Sequence, residues 1–316
     1  MRSQSTLCID AGYLLAAAAT RVTGSSLRRA VRVDYPTLLG TLSRHVEEQS
    51  GLTLLRAYWY DAVREGSAVP EHEQVALSPR VKLRLGRIGF NGEQKGVDLR
   101  IGLDMVGHAR NGTVDMIYLI SGDDDLTEAV EEAQAHGVQV VVLGVADKDG
   151  VAQGISRHLA RAADEVLVIP DHIIVDAVQA ATVTASAGSA TSAGVVQRIG
   201  QPPSPADVAR RAAAPAPNSF TRTGASSITS PISADAMTTA IEAVSARTLD
   251  AWAATAAPLQ WSDLAADRPT IPRELDRALL VDLSNALGLY DLDDAARVAL
   301  RAGFWAQVDR REVGSA

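Results

Sequence analysis

The sequence predicts an α/β chain with a mostly parallel central sheet, then a disordered linker, then a small all-α module. Three observations carry that prediction. Short apolar runs alternate with helix-spaced stretches up to about Ala177. Next comes a stretch of Ala, Ser, Thr, Gly and Pro with Pro202, Pro203, Pro205, Pro215 and Pro217 close together. After it the spacing is helical again with no strong strand. Strands separated by helices require crossover connections, hence parallel pairing and a sheet covered on both faces.

The elements follow in order. Residues 6–9 read as a buried strand ending at Asp10. Residues 35–49 carry Leu38, Leu39, Leu42 and Val46 at helical spacing. Residues 54–60 form a second strand rich in aromatics, 97–109 a helix, and 116–120 a short apolar strand. A helix over 126–136 is stopped by Gly137 and followed by a strand over 138–143. A helix over 155–163 and a strand over 165–169 close the domain before Pro170. The boundaries are therefore 1–178 for the α/β domain, 179–233 for the linker and 234–316 for the helical module. The linker has too few large apolar residues to offset its ordering entropy. In the module, residues 234–254 read as a helix, and Pro272 marks another helix start. Leu279, Leu280, Leu283 and Leu287 continue that helix to Gly288, and 291–306 forms the last one.

Composition narrows the function classes. The net charge of −8 argues against a protein that coats nucleic acid non-specifically, and 4% aromatic content argues against a base-stacking platform. The single cysteine, Cys8, allows neither an intramolecular disulfide nor a cysteine zinc site, and it reads as a packed core thiol. No signal peptide is expected and no apolar run approaches a membrane span, so the expectation is a cytoplasmic protein without membrane contact. Charge is uneven, however. Arg80, Lys82, Arg84, Arg87, Lys95 and Arg100 face only Glu93 and Asp98 over one short segment. Such a run suits a phosphate backbone or, equally, a solvated face. The six histidines show no metal-ligand spacing.

Three segments carry potential chemistry. Ile9-Asp10-Ala11-Gly12-Tyr13 is a strand-end aspartate with a glycine turn. Lys95-Gly96-Val97-Asp98 opens a helix that later carries Asp104. Ser121-Gly122-Asp123-Asp124-Asp125-Leu126 joins a strand to a helix. In a parallel sheet, ligands sit outside the carboxyl ends of the strands, and Asp10 and Asp123–Asp125 fall at that edge. Gathered carboxylates repel one another without a cation, and Mg²⁺ or Mn²⁺ is the hard cation they favour. Each aspartate also has a structural reading, as a turn or helix cap.

The order I-D-A-G-Y, K-G-V-D, S-G-D-D-D-L, then a helix and V-V-V-L-G, resembles the NYN domain family of PIN-like ribonucleases over about residues 6–174. The resemblance implies a PIN-like three-layer sandwich and metal-dependent endonucleolytic cleavage of RNA. It implies Asp10, Asp98, Asp123 and Asp125 as metal ligands and catalytic residues, with Asp104 and Asp124 as further candidate ligands. Mg²⁺ or Mn²⁺ is the implied cofactor and RNA the implied partner. Lys95, Arg84, Arg87 and Arg100 are the candidate RNA-binding residues. The C-terminal helices are expected to serve recognition, as a homo-oligomer contact or a protein-binding surface. One departure stands out. Relatives often carry glycine directly after the first Asp and Asn three residues after it, where this chain has Ala11 and Tyr13. That departure supports the alternative of a weak or inactive PIN-like scaffold that binds RNA or protein. A Toprim-like site would need a glutamate where Asp10 stands, and a haloacid-dehalogenase site an aspartate where Gly12 stands.

Overall fold

A computed structural model of the chain describes residues 3–63, 69–88, 94–147, 150–181, 233–289 and 291–314. Among them, strands β1 (Gln4–Asp10), β3 (Thr53–Val63), β4 (Val81–Ile88), β5 (Gln94–Lys95), β6 (Met116–Ile120), β7 (Gln139–Val145) and β8 (Glu165–Ile169) form one sheet. Its order is β5-β4-β3-β1-β6-β7-β8. The six strands from β4 to β8 run parallel, and only β5 is antiparallel to its neighbour. Order reverses at β1, which pairs with β3 on one side and β6 on the other. In open α/β sheets ligands settle at such a reversal, outside the carboxyl ends of the strands, which here is the carboxyl edge of β1.

The layers follow from the period of two along each strand. Leu7 and Ile9 of β1, Trp59 of β3, Tyr118 and Ile120 of β6, and Val141 and Leu143 of β7 point into one core. Helices α1 (Ala11–Thr23) and α2 (Tyr35–Ser50) cover it with Leu14, Leu38, Leu39 and Leu42. Cys8, Tyr58, Tyr60, Ile117, Leu119, Val140 and Val142 point into the opposite core. Helices α4 (Val97–Arg110), α5 (Thr127–Ala135) and α6 (Arg157–Ala162) cover that side with Ile101, Met105, Val130 and Leu159. The result is the expected three-layer sandwich.

Some elements escape the pattern reading above. Helix α1 is written in alanines, whose small side chains carry little periodic signal yet pack fully at Ala11, Ala18 and Ala19. Asp10 caps its start and Gly24, at φ 80°, ends it. Strand β4 hides inside the basic run: Val81, Leu83 and Leu85 alternate with Lys82 and Arg84. A short ribbon pairs β2 (Val31–Val33) with β9 (Val178–Ala180), which extends ordered backbone beyond the expected end of the domain at residue 178. The short helices α3 (Pro70–Leu77) and α7 (Asp171–Val175) are also additional. The rest of the expected linker, residues 182–232, lies outside the described residues.

After the linker come α8 (Ala234–Ala253), α9 (Pro258–Ala266), α10 (Arg273–Leu287) and α11 (Asp294–Gly314). They share a core of Val244, Trp252, Leu275, Leu279, Leu283, Leu300 and Phe304, and that core also takes in Leu27 and Ala30 from the segment after α1. Met1–Val183 and Ser233–Ala316 thus belong to one compact unit. The joint is polar as well as apolar. Buried Asp282 on α10 accepts hydrogen bonds from the Ser25 hydroxyl (2.9 Å), the Ser26 N–H (2.9 Å) and the Thr248 hydroxyl (3.3 Å). Among the described residues no helix is long and apolar enough to cross a membrane.

Candidate active site

Asp10 stands at the carboxyl end of β1, beside the reversal point of the sheet. One carboxylate oxygen accepts from the backbone N–H of Gly12 (2.8 Å) and Tyr13 (3.3 Å), which satisfies two orphan donors of α1. The other accepts from the Ser121 hydroxyl at 3.2 Å. Ser121 Oγ in turn accepts from the Asp123 N–H (3.3 Å), and Asp123 accepts from the Asp125 N–H (3.0 Å). A continuous run of hydrogen bonds therefore ties the end of β1 to the turn after β6. The capping reading of Asp10 and Asp123 therefore holds, and the same bonds bring the two aspartates to one edge of the sheet.

Asp98 lies in the first turn of α4, launched by Gly96 in the left-handed region at φ 81°. Burial raises its carboxyl pKa, and the charges of Asp123 and Asp125 raise it further. Arg277, from α10, acts in the opposite direction. Asp10 is pushed up to about 6, chiefly by burial, with the Asp98 charge adding to it; the Tyr13 and Gly12 N–H groups and Ser121 oppose the rise. The four aspartates thus sit within electrostatic reach of one another along the chain Asp10–Asp98–Asp123/Asp125. Among the described residues no three acidic, histidine or cysteine side chains close tightly enough to grip an ion as they stand.

The other sequence candidates go elsewhere. Asp104 is six residues beyond Asp98, about 9 Å along the helix. It accepts from the Tyr60 hydroxyl (3.0 Å) and ion-pairs with Arg84 at 3.1 Å, off the hydrogen-bonding direction. Arg84 is thereby occupied, and its guanidinium also lies 5.4 Å from the Tyr58 ring centroid. Asp124 turns to the Ser156 hydroxyl and to His158, 3.1 Å away. Those bonds hold its carboxyl below the usual range. Arg100 is exposed, but two residues beyond Asp98 means about 200° around the helix, away from the cluster. The side chains of Arg87 and Lys95 lie outside the described residues.

Sequence reasoning assigned no role to Tyr13 beyond a departure from pattern. Its hydroxyl donates to the Gln153 carbonyl at 2.6 Å, and burial raises its pKa. Gln153 also donates to the Ala17 carbonyl (3.2 Å), so the loop between β7 and α6 is fastened onto α1. Gly122 makes room for that loop: a Cβ there would sit 1.7 Å from the Gly154 carbonyl oxygen. The tyrosine is thus a strut for the loop bordering the site. Cys8 is buried, its thiol pushed up to about 12, and packs in the core as expected.

Comparison with known proteins agrees with this architecture. The model of the NYN domain family matches residues 9–170, just over half of the 316 residues. A Sinorhizobium fredii protein called "uncharacterized protein y4oD" is 35% identical over 117 residues, which are 36% of this chain and 55% of that protein. The chain thus spans about half the length of this curated relative. A solved Vibrio parahaemolyticus protein of unknown function aligns at 21% identity with a TM-score of 0.37, over 54% of this chain and 95% of that one, a likeness too loose to bear on function. The family match extends from the strand holding Asp10 through the turn holding Asp123 and Asp125, and the chain belongs to the NYN domain family, within the PIN-like nuclease superfamily.

Proposed function

We propose that this protein is a metal-dependent endoribonuclease that hydrolyses RNA phosphodiesters at Asp10, Asp98, Asp123 and Asp125, working in the cytoplasm. The observation that carries the reading is the mutual repulsion of these acids: burial and carboxylate neighbours raise both Asp10 and Asp98. A protein gains nothing in stability by gathering unneutralised carboxylates at a sheet edge, whereas a cation relieves that repulsion. The chemistry of the donor set fits a hard divalent ion, because it is all carboxylate oxygen. Mg²⁺ or Mn²⁺ held by these four residues would supply an activated water and neutralise charge on the phosphodiester.

The chain's own residues do the positioning. Ser121 holds Asp10 and Asp123 in fixed relation across β1 and β6. Gly12 and Tyr13 orient Asp10 from below through their N–H groups. Asp104 and Asp124 keep to Arg84 and to Ser156 with His158, and are not proposed as ligands.

The test is RNA cleavage by the full chain on mixed structured and single-stranded substrates. Mn²⁺-dependent cutting is expected, and Asp123→Asn should lower it by about 100-fold or more. Cutting that persists in the variant at wild-type rate rejects the site. Wild-type protein that binds RNA without cutting it, over all substrates with Mn²⁺ and Mg²⁺, rejects the nuclease in favour of the scaffold.

A further inference from the structure

The helices after Ser233 lie outside the family match, yet one of them reaches the site. Helix α10 is anchored by Asp282 on Ser25 and Ser26, and by Glu274, which accepts from Arg29 at 2.6 Å. Next to that anchored face runs a second line of side chains four residues apart, Arg277, Val281 and Asn285, all exposed. One end of this line reaches the loop that borders the candidate site, and the charge at the other end bears on Asp98. Asn285 Oδ1 lies 3.8 Å from the point a Cβ on Gly154 would occupy, in the loop that Tyr13 struts and that presses on Gly122. At the other end, the Arg277 charge bears on Asp98. The helix therefore passes along the carboxyl edge of the sheet, from Asp98 to the β7–α6 loop.

An RNA strand entering a cluster of four carboxylates is repelled unless the protein offers a cation beside them. Of the sequence candidates whose side chains are described, Arg84 is already paired with Asp104, and Arg100 stands about 200° around α4 from Asp98. Arg277 is exposed and makes no ion pair among the described residues. Its planar fork of donors matches a phosphate, which takes paired hydrogen bonds.

We propose that α10 forms one wall of the substrate cleft and that Arg277 binds an RNA phosphate beside Asp98, making the C-terminal helices part of the nuclease site. The proposal deepens the ribonuclease reading and rests on it for the identity of the substrate.

The test measures binding and cutting separately on the full chain. Binding is followed by fluorescence anisotropy of a fluorescein-labelled single-stranded RNA of mixed sequence, in EDTA, across a KCl series. Arg277→Ala should bind about tenfold more weakly. Its plot of log affinity against log salt should be shallower by about 0.7, the signature of one lost phosphate contact on a single strand. Arg277→Lys should keep the wild-type slope, because the charge remains. Arg310→Ala, which removes a surface pair with Glu242, should change neither quantity. Unchanged affinity and slope in Arg277→Ala would overturn the proposal, and so would weaker binding at unchanged slope with a lowered melting temperature. Cutting with Mn²⁺ then separates the two readings. A wild type that cuts RNA regardless of residue 277 keeps the nuclease and loses the wall. A wild type whose binding depends on Arg277 but which never cuts keeps the wall and loses the nuclease. A wild type that neither binds nor cuts overturns both.

Discussion

Burial and the neighbouring Asp98 set the Asp10 carboxyl at about 6, above the roughly 4 of a carboxyl in an unfolded chain. The folded protein therefore binds more protons than the unfolded chain between those values, and in metal-free buffer this group lowers stability as pH rises through that window. Asp10→Asn removes the charge while keeping a good helix cap. In EDTA the variant should melt higher than wild type at pH 7.5, by about 2–4 °C for about 1 kcal/mol in a unit of this size, and the two should converge near pH 4. Thermal melts across pH check this, and a difference independent of pH would reject the electrostatic account. Added Mn²⁺ should raise the wild-type melting temperature more than the variant's, since only the wild type has the full carboxylate set to neutralise.

At the scale of elements, Asp282 is the counterpart case: a buried carboxylate whose raised pKa has burial as its main cause, opposed by bonds from Ser26, Ser25 and Thr248. Truncating it strands those donors at the joint between α10 and the segment after α1. Asp282→Ala should cost about 2–3 kcal/mol by urea denaturation. A loss under about 0.5 kcal/mol would mean that the joint is held by Leu27 and Ala30 alone. Legibility in the sequence also divides by element. The placement of Asp10, Asp98, Asp123 and Asp125 was readable because each sits in a short contiguous motif at a strand end or helix start, where local geometry fixes its place. The role of Arg84 was not, because V-K-L-R-L reads as a charge run until β4 turns Arg84 onto Asp104. The approach of Arg277 to Asp98 was not legible at all. Its own helix was marked by the leucine spacing, but which face meets the sheet edge is decided by partners over 250 residues earlier, such as Ser26 for Asp282.

For the whole molecule, the α/β layers and the C-terminal helices read in sequence as separate domains, since an interval of low-complexity composition divides them. Their contact depends on apolar surface at Leu27 and Ala30 that no periodic pattern announces. Because the two parts share a core, residues 1–183 and 233–316 expressed as separate chains in one cell should purify together through a tag on either. Recovery of the tagged part alone, with its partner soluble in the same lysate, would show the shared core to be too weak to hold them.

The bond between the Ser26 N–H and Asp282 spans 256 positions of sequence. A ribosome making about 5–20 residues per second emits Ser26 roughly ten to fifty seconds before it emits Asp282. Through that interval the segment after α1 has no Asp282 to meet, so the joint between the sheet layers and the C-terminal helices can close only after α10 has been made.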